Sequence, residues 1–148
     1  MNENGDEVDF EIMKSRKRWE AVDESILGKY DLIMKMGRGN YGMVWKAIDK
    51  RNRGKVAIKK INNAFASVID AQRTLREILI LKECGLHPNI MKIYNVMRAK
   101  NNNKDLYFIL EFVECDLLTI IRSNFCTNEQ RVYILWQIAR GLKYLHTA

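Results

Sequence analysis

The fold is decided by residues 30–61, which read YDLIMKMGRGNYGMVWKAIDKRNRGKVAIKKI. Apolar and polar residues alternate in 30–36, a period of two that is typical of a strand with one covered face. The alternation is interrupted by the glycine-rich segment 37–42 and by the turn 49–54, and it resumes after each. Short connections favour antiparallel pairing of neighbouring strands, so this stretch predicts a three-stranded meander.

A helix and two further strands are predicted downstream. Between Asp70 and Glu83 the apolar residues have helical spacing, with Asp70 as the expected N-cap and Gly85 just past the end. Residues 93–97 and 106–110 have the composition of strands. The expected fold class is therefore α+β, a five-stranded antiparallel sheet with one helix inserted, followed by helices.

The last part of the chain is predicted to be helical. Thr127 and Gln130 have the spacing of a capping box. An apolar stripe follows at helical spacing and comprises Val132, Leu135, Trp136, Ala139, Leu142 and Leu145. Little sequence remains after this stripe to cover it, so we expect the chain to be part of a larger unit.

Composition limits the class of protein. The chain has 148 residues, 47% of them hydrophobic, and 25 basic against 18 acidic side chains give a net charge of +7. The length and the hydrophobic fraction favour one domain with a core. No run approaches the roughly 18 apolar residues of a membrane span, and the N-terminus is acidic where a signal peptide is basic, so we expect an intracellular chain, in the cytoplasm with the nucleus as a second location. Because the positive charges are dispersed, a nucleic-acid-binding domain is disfavoured. Cys84, Cys115 and Cys126 lack CxxC spacing, so we expect free thiols.

Residues 1–27 are polar and predict a flexible N-terminal extension, which Trp19, Val22 and Ile26 could pin onto the domain. A basic cluster at 14–18 follows an acidic stretch. It is interpreted as part of a solvated arm, with a docking or nuclear-targeting patch as the alternative.

The glycine-rich segment carries the first chemical signal. Gly37, Gly39 and Gly42 satisfy GxGxxG, a weak pattern by itself because glycines between strands are commonly turn formers. Here a strand follows and gives GxGxxGxV, so the segment is a hairpin whose backbone N–H groups could approach phosphates. A simple structural turn remains the alternative.

Residues 56–59, Val-Ala-Ile-Lys, carry the second signal. Ala57 and Lys59 lie two apart on one strand and share a face. The small side chain leaves room for a flat base, and the ammonium can meet phosphate charge. Glu77 on the inserted helix could hold Lys59 in place. The alternatives are a solvated Lys59 and pairing of Glu77 with Arg73 on its own helix.

These motifs, followed by His-Pro-Asn-Ile at 87–90, occur in the order found in protein kinases. The chain resembles the N-terminal lobe of a protein kinase (28–113) continuing into the first helices of the C-terminal lobe (114–148). Residues 71–78 and 141–146, AQRTLREI and GLKYLH, are similar to the mitogen-activated protein kinases. Within that family, DAQRT and VWK look most like the atypical extracellular-signal-regulated branch.

The resemblance implies an ATP site. Its residues would be Met36, Gly37, Arg38, Gly39, Asn40, Tyr41, Gly42, Val44, Ala57, Lys59, Leu110, Glu111, Val113 and Asp116. By the same resemblance Lys59 contacts the α- and β-phosphates, Glu77 is its partner in the active state, and Arg76 reads a phosphorylated activation loop.

The resemblance also assigns roles along the segment after the fifth strand. Leu110 would be the gatekeeper, Glu111 and Val113 would offer backbone hydrogen bonds to adenine, and Asp116 would contact the ribose. Two positions depart from the family pattern. Leu110 is apolar where Gln or a smaller residue is common, and Thr119 stands where a basic residue often lies.

The implied function is a serine/threonine kinase that transfers the γ-phosphoryl of MgATP to protein substrates under the control of upstream activators. Catalysis would need a His-Arg-Asp loop and a Mg²⁺-binding Asp-Phe-Gly motif. The sequence holds neither, and His146 is not followed by Arg-Asp. His87 is expected to brace its loop. We therefore expect no catalytic or metal-binding residue in this chain, which alone would be inactive. The alternative is a non-catalytic nucleotide-binding or scaffold module.

Overall fold

The computed structural model describes residues 22–39, 42–123 and 125–147. Its elements are α1 (Glu24–Leu27), β1 (Tyr30–Gly39), β2 (Gly42–Asp49), β3 (Lys55–Ile61), α2 (Val68–Cys84), β4 (Ile93–Arg98), β5 (Leu106–Glu111), α3 (Leu117–Ser123) and α4 (Asn128–Thr147). The predicted fold class is confirmed, because five antiparallel strands form one sheet with α2 inserted and helices after it.

The strands lie in the order β1-β2-β3-β5-β4. The first three form the predicted meander. The chain then passes through α2 to the far edge of the sheet, where β4 lies, and β5 returns between β4 and β3. Because β5 is central, residues 106–110 are buried without a break.

The sheet has a core on each face. The first comprises Val22, Ile26, Tyr30, Trp45, Ala47, Val56, Ile58, Ala99, Tyr107 and Ile109. The second comprises Ile61, Ala64, Leu106, Phe108 and Leu110, with Ile78 and Leu81 of α2 packed against it. Successive residues of a strand point to opposite faces, which explains why Tyr107 and Ile109 join one core while Phe108 and Leu110 join the other.

The first core includes part of the predicted N-terminal extension. Val22 and Ile26, expected to pin that extension, are 7% and 0% exposed. Asp23 fastens the same segment, because its backbone N–H donates to the Tyr107 hydroxyl at 3.0 Å and its Oδ2 accepts from the N–H of Asn101 at 2.9 Å. Residues 22–27 therefore belong to the folded unit. Trp19 and the basic cluster at 14–18 lie outside the described residues.

The N-cap of α2 is Ser67, so the prediction of Asp70 is wrong. The Ser67 Oγ accepts from the N–H of Asp70 at 3.1 Å, and its hydroxyl donates to Asp70 Oδ2 at 2.7 Å. Asp70 thus lies in the first turn of α2, where its N–H is capped by Ser67 and its carboxylate accepts from the Ser67 hydroxyl.

The helical part is attached to the sheet half through the loop at 87–90. Asn89 Nδ2 donates to Gln137 Oε1 of α4 at 3.0 Å, and the His87 ring stacks on Tyr144 with centroids 4.6 Å apart. His87 Nδ1 also accepts from the N–H of Asn89 at 3.1 Å, which is the bracing role expected of it.

The capping box of α4 is confirmed. Thr127 N–H donates to Gln130 Oε1 at 3.0 Å, and Gln130 N–H donates to Thr127 Oγ1 at 3.3 Å.

The apolar stripe of α4 is exposed, with Val132 at 65% and Leu135 at 64%. The three cysteines are free thiols, as predicted. Within the described ranges no helix is long and apolar enough to cross a membrane.

Lys60, which is partly buried, forms an ion pair with the buried Asp105 at the end of β3. Their Nζ and Oδ2 atoms are 2.9 Å apart, and their side chains are 14% and 8% exposed. Asp105 also accepts from the N–H of Asn63 and from Asn102 Nδ2, both at 2.9 Å. Burial opposes ionisation of the carboxyl, but the hydrogen bonds from Asn63, Asn102 and Lys60 outweigh it and lower the pKa of Asp105.

Asp105→Ala should lower the free energy of unfolding by about 1–3 kcal/mol, because it removes the carboxylate partner of the largely covered Lys60 side chain. Urea unfolding at neutral pH measures this loss. Asp31→Ala is the control, since Asp31 is 52% exposed beside Lys50 and Arg53 and its loss should cost less than about 1 kcal/mol.

The same pair should make stability depend on pH. A lowered folded-state pKa contributes stability above the ordinary value of 3.8, and this contribution disappears as the pH falls through the folded-state value. The difference between wild type and Asp105→Ala should therefore shrink in acid. A difference that stays constant down to the acid transition would contradict the ion pair.

Candidate functional site

A cavity of about 520 Å³ lies on the second face of the sheet, where α2 meets β3 and β5. The predicted site residues among its walls are Met36, Val44, Ala57, Lys59, Glu77, Leu110, Glu111 and Val113. The walls also include residues that the sequence did not single out, namely Ile80, Leu81, Met91 and Phe112.

Strand register brings the predicted residues together. Val44 of β2 lies opposite Lys59 of β3, and Ala57 of β3 lies opposite Leu110 of β5. Directly opposed residues share a face of the sheet, so these four side chains point to the cavity. Leu110 is 6% exposed and closes the inner wall beside the small side chain of Ala57.

An ion pair joins the sheet to α2 at this cavity. Lys59 Nζ lies 2.6 Å from Glu77 Oε1, with side chains 22% and 36% exposed. Lys59 Nζ is also 5.7 Å from the centroid of the Phe108 ring. Of the two partners considered for Glu77, Lys59 is the one the structure places at ion-pair distance. Because both groups remain partly exposed, a charged ligand can reach them.

The glycine-rich segment is a hairpin between β1 and β2, in which Gly37 is opposite Val44 and Gly39 is opposite Gly42. We expected the strand to stop at Gly37, but β1 continues to Gly39. A register shift between Lys35 and Gly37 accommodates this continuation. Asn40, Tyr41 and the Arg38 side chain lie outside what the structure describes.

Gly42 is required by its surroundings. Its φ is 150°, a conformation that side chains rarely adopt, and a Cβ there would overlap the backbone carbonyl of Lys60. The hairpin therefore approaches the end of β3 closely only because residue 42 is glycine.

The chain leaves β5 along the mouth of the cavity. The N–H of Glu111 donates to the carbonyl of Lys92 at 2.9 Å, and Val113 is 54% exposed. Asp116 is not among the cavity walls. Its Oδ1 accepts from the N–H of Thr119 at 2.7 Å at the start of α3, and hydrogen bonds from Thr119 lower the pKa of Asp116. Arg76 is exposed on α2.

Of the four additional wall residues, two could have been predicted from the sequence and two could not. Ile80 and Leu81 are three and four residues after Glu77, so they lie on the same side of the helix, and this spacing was visible in the sequence. Met91 and Phe112 lie in connections without a periodic pattern, and no local signal marks them. In the described part of the chain, no three acidic, His or Cys side chains are grouped so that they could hold a metal ion.

Comparison with known proteins gives a match to the protein kinase domain over residues 30–148. The chain is 44% identical over 129 residues to the extracellular signal-regulated kinase 2 of Dictyostelium discoideum. It is 45% and 46% identical over 127 residues to the mitogen-activated protein kinase 15 of Caenorhabditis elegans and of Xenopus laevis. The alignments cover 87%, 85% and 85% of this chain but 35%, 27% and 22% of those proteins. The predicted resemblance is confirmed.

Leu110→Ala should enlarge the cavity and lower the free energy of unfolding by about 2–5 kcal/mol, the range for removing a buried leucine side chain. The matched control is Leu86→Ala, because Leu86 is 90% exposed. Equal midpoints of urea unfolding for the two variants would show that Leu110 is not part of the core.

Proposed function

Because the chain belongs to the protein kinase family, we propose that it is the ATP-binding portion of a serine/threonine kinase of the mitogen-activated type. The whole protein would transfer the γ-phosphoryl of ATP to hydroxyl groups of protein substrates. The observation that carries the proposal is the Lys59–Glu77 ion pair at 2.6 Å, inside a cavity walled by the residues expected for adenine.

The cavity suits a flat heterocycle. Val44 and Ala57 would lie above the ring, Leu110 would close the back of the slot, and Met36 would narrow its entrance. Backbone groups of Glu111 and Val113, at the mouth, would supply hydrogen bonds that distinguish adenine from other bases. Asp116 would contact the ribose with an oxygen not needed to cap α3.

The phosphates would lie between the glycine hairpin and Lys59. Lys59 would exchange part of its interaction with Glu77 for the α- and β-phosphates, and backbone N–H groups at 37–42 would approach them. Kinases of this family use Mg²⁺ with ATP. The described residues do not group the carboxylates that such an ion needs, so no step here depends on a metal.

The remaining assignments follow from the same proposal. Residues 28–113 would form the N-terminal lobe and 114–148 the start of the C-terminal lobe. Protein substrates and upstream activators would be the partners, without nucleic acid or membrane, in the cytoplasm and nucleus. Arg76 would read a phosphorylated loop of the kinase.

We propose further that these 148 residues bind nucleotide without transferring phosphate. Their sequence contains no His-Arg-Asp and no Asp-Phe-Gly tripeptide, the sources of the catalytic and metal-binding side chains in kinases. The same observation favours a second candidate, a non-catalytic nucleotide-binding or scaffold module. If the coding sequence continues past residue 148 and contains both tripeptides, the kinase is the correct candidate and the non-catalytic module is excluded.

The 148-residue chain should bind ADP weakly, with little effect of Mg²⁺, and should not phosphorylate a generic basic protein. Titration calorimetry with and without Mg²⁺, beside a kinase assay, measures this. A tenfold gain in affinity with Mg²⁺, worth about 1.4 kcal/mol, would reveal a metal site that the described residues do not form. Robust turnover would overturn the proposed inactivity.

Lys59→Met should weaken ADP binding but leave adenosine binding unchanged, because the ammonium is assigned to the phosphates alone. The free energy of unfolding should fall by less than about 1 kcal/mol, since the ion pair is partly exposed. In the longer kinase the same change should abolish phosphoryl transfer. Lys82→Met, on an exposed residue of α2, is the control for lost charge. Unchanged ADP affinity in Lys59→Met would remove Lys59 from the site.

A further inference from the structure

A charged cluster lies just outside the cavity, where the chain leaves β5. The Glu114 carboxylate lies between two lysines of the sheet. Its Oε1 is 3.0 Å from Lys55 Nζ of β3, and its Oε2 is 3.6 Å from Lys46 Nζ of β2. Each carboxylate oxygen thus has its own lysine, and the two lysines come from neighbouring strands.

Lys46 has a second contact that reaches the cavity wall. Its Nζ lies 4.5 Å from the centroid of the Phe112 ring, a distance at which a cation is attracted to the face of an aromatic ring. Lys46 is opposite Ala57 in the β2–β3 register and therefore shares its face of the sheet. Its side chain is only 20% exposed, so it is held more closely than a freely solvated lysine.

These contacts act on one short segment. Phe112 and Val113 line the cavity, and Glu114 follows them directly. The lysine contacts hold Phe112 and Glu114, the residues on either side of Val113. We propose that Glu114, with Lys46 and Lys55, is a positioning group that fixes the backbone of 112–114 in the conformation that accepts a nucleotide base.

The cluster is suited to a local role. Glu114 is 66% exposed and Lys55 is 56% exposed, and ion pairs this exposed add little to global stability. The contacts are therefore suited to orienting the three residues after the end of β5 and not to holding the sheet together. The hydrogen bond from Lys55 lowers the pKa of Glu114, so the carboxylate is ionised at neutral pH.

The test compares Glu114→Gln with Asp31→Asn in the full 148-residue chain. Asp31 is a matched control, because its two oxygens lie 3.4 Å and 3.6 Å from Lys50 Nζ and an Arg53 nitrogen, away from the cavity walls. Both changes remove one negative charge from a site between two cations.

Backbone ¹⁵N order parameters of 112–114 provide the first readout and need no ligand. They should fall from about 0.85 in the wild type to below about 0.6 in Glu114→Gln and stay unchanged in Asp31→Asn. Glu114→Asp, which keeps the charge, should retain most of the order. Melting temperatures of all variants should be close to that of the wild type. Unchanged order parameters in Glu114→Gln would overturn the proposal.

ADP affinity provides the second readout, and it rests on the proposed function. Glu114→Gln should weaken ADP binding about three- to fivefold, and Asp31→Asn should not. Equal affinities for wild type and Glu114→Gln would also overturn the positioning role. A wild-type chain that binds no ADP would instead refute the proposed function, and the order parameters would still report on the cluster.

Discussion

The site depends on the register of β3. Lys59 and Lys60 are adjacent, so the pleat sends their side chains to opposite faces of the sheet, and each finds a carboxylate there. Lys59 pairs with Glu77 of α2, while Lys60 pairs with Asp105 before β5. A slip of one residue would exchange the lysines and move Ala57 away from the cavity. Both ion pairs are therefore compatible with only one register of β3, and that register places Val44, Ala57, Lys59 and Leu110 on the cavity face.

The two pairs differ in a way that suits two roles. Lys60 and Asp105 are 14% and 8% exposed, and the carboxylate has two further donors. Such a pair stabilises the end of β3 and has no room to exchange partners. Lys59 and Glu77 are 22% and 36% exposed and border an open cavity. The more exposed pair can therefore rearrange around a charged ligand at little cost.

Much of the fold could be read from local patterns, because alternation specifies a half-covered strand whatever its partners are. The same alternation placed Ala57 and Lys59 on one face before any strand order was known. The central position of β5 could not be read this way, since strand order results from packing between distant segments. The predicted end of β1 at Gly37 was wrong. Glycine is compatible with a turn and with an extended strand, and here the strand continues to Gly39.

Capping residues were ambiguous for a different reason. Ser and Asp are both favoured at the N-cap, so the local sequence does not show whether the helix begins after Ser67 or after Asp70. The same limit applies to Asp116. Its side chain caps α3 by accepting from the N–H of Thr119, and the sequence alone does not show that contact. The buried positions of Asp23 and Asp105 had no sequence signal, since each depends on donors in loops that only the fold brings near.

Around the cavity, the rigid part is the sheet, and two neighbouring elements are tied to it by lysines that the sheet supplies. Lys59 holds α2 through Glu77, and Lys46 with Lys55 holds the segment after β5 through Glu114. Charge pairs of this exposure are individually weak. They orient α2 and the segment after β5 relative to the sheet, while Ile78 and Leu81 of α2 also pack against the second core. The sheet therefore forms one wall of the cavity directly, and the charge pairs that the sheet supplies set the position of the elements at the cavity's edges.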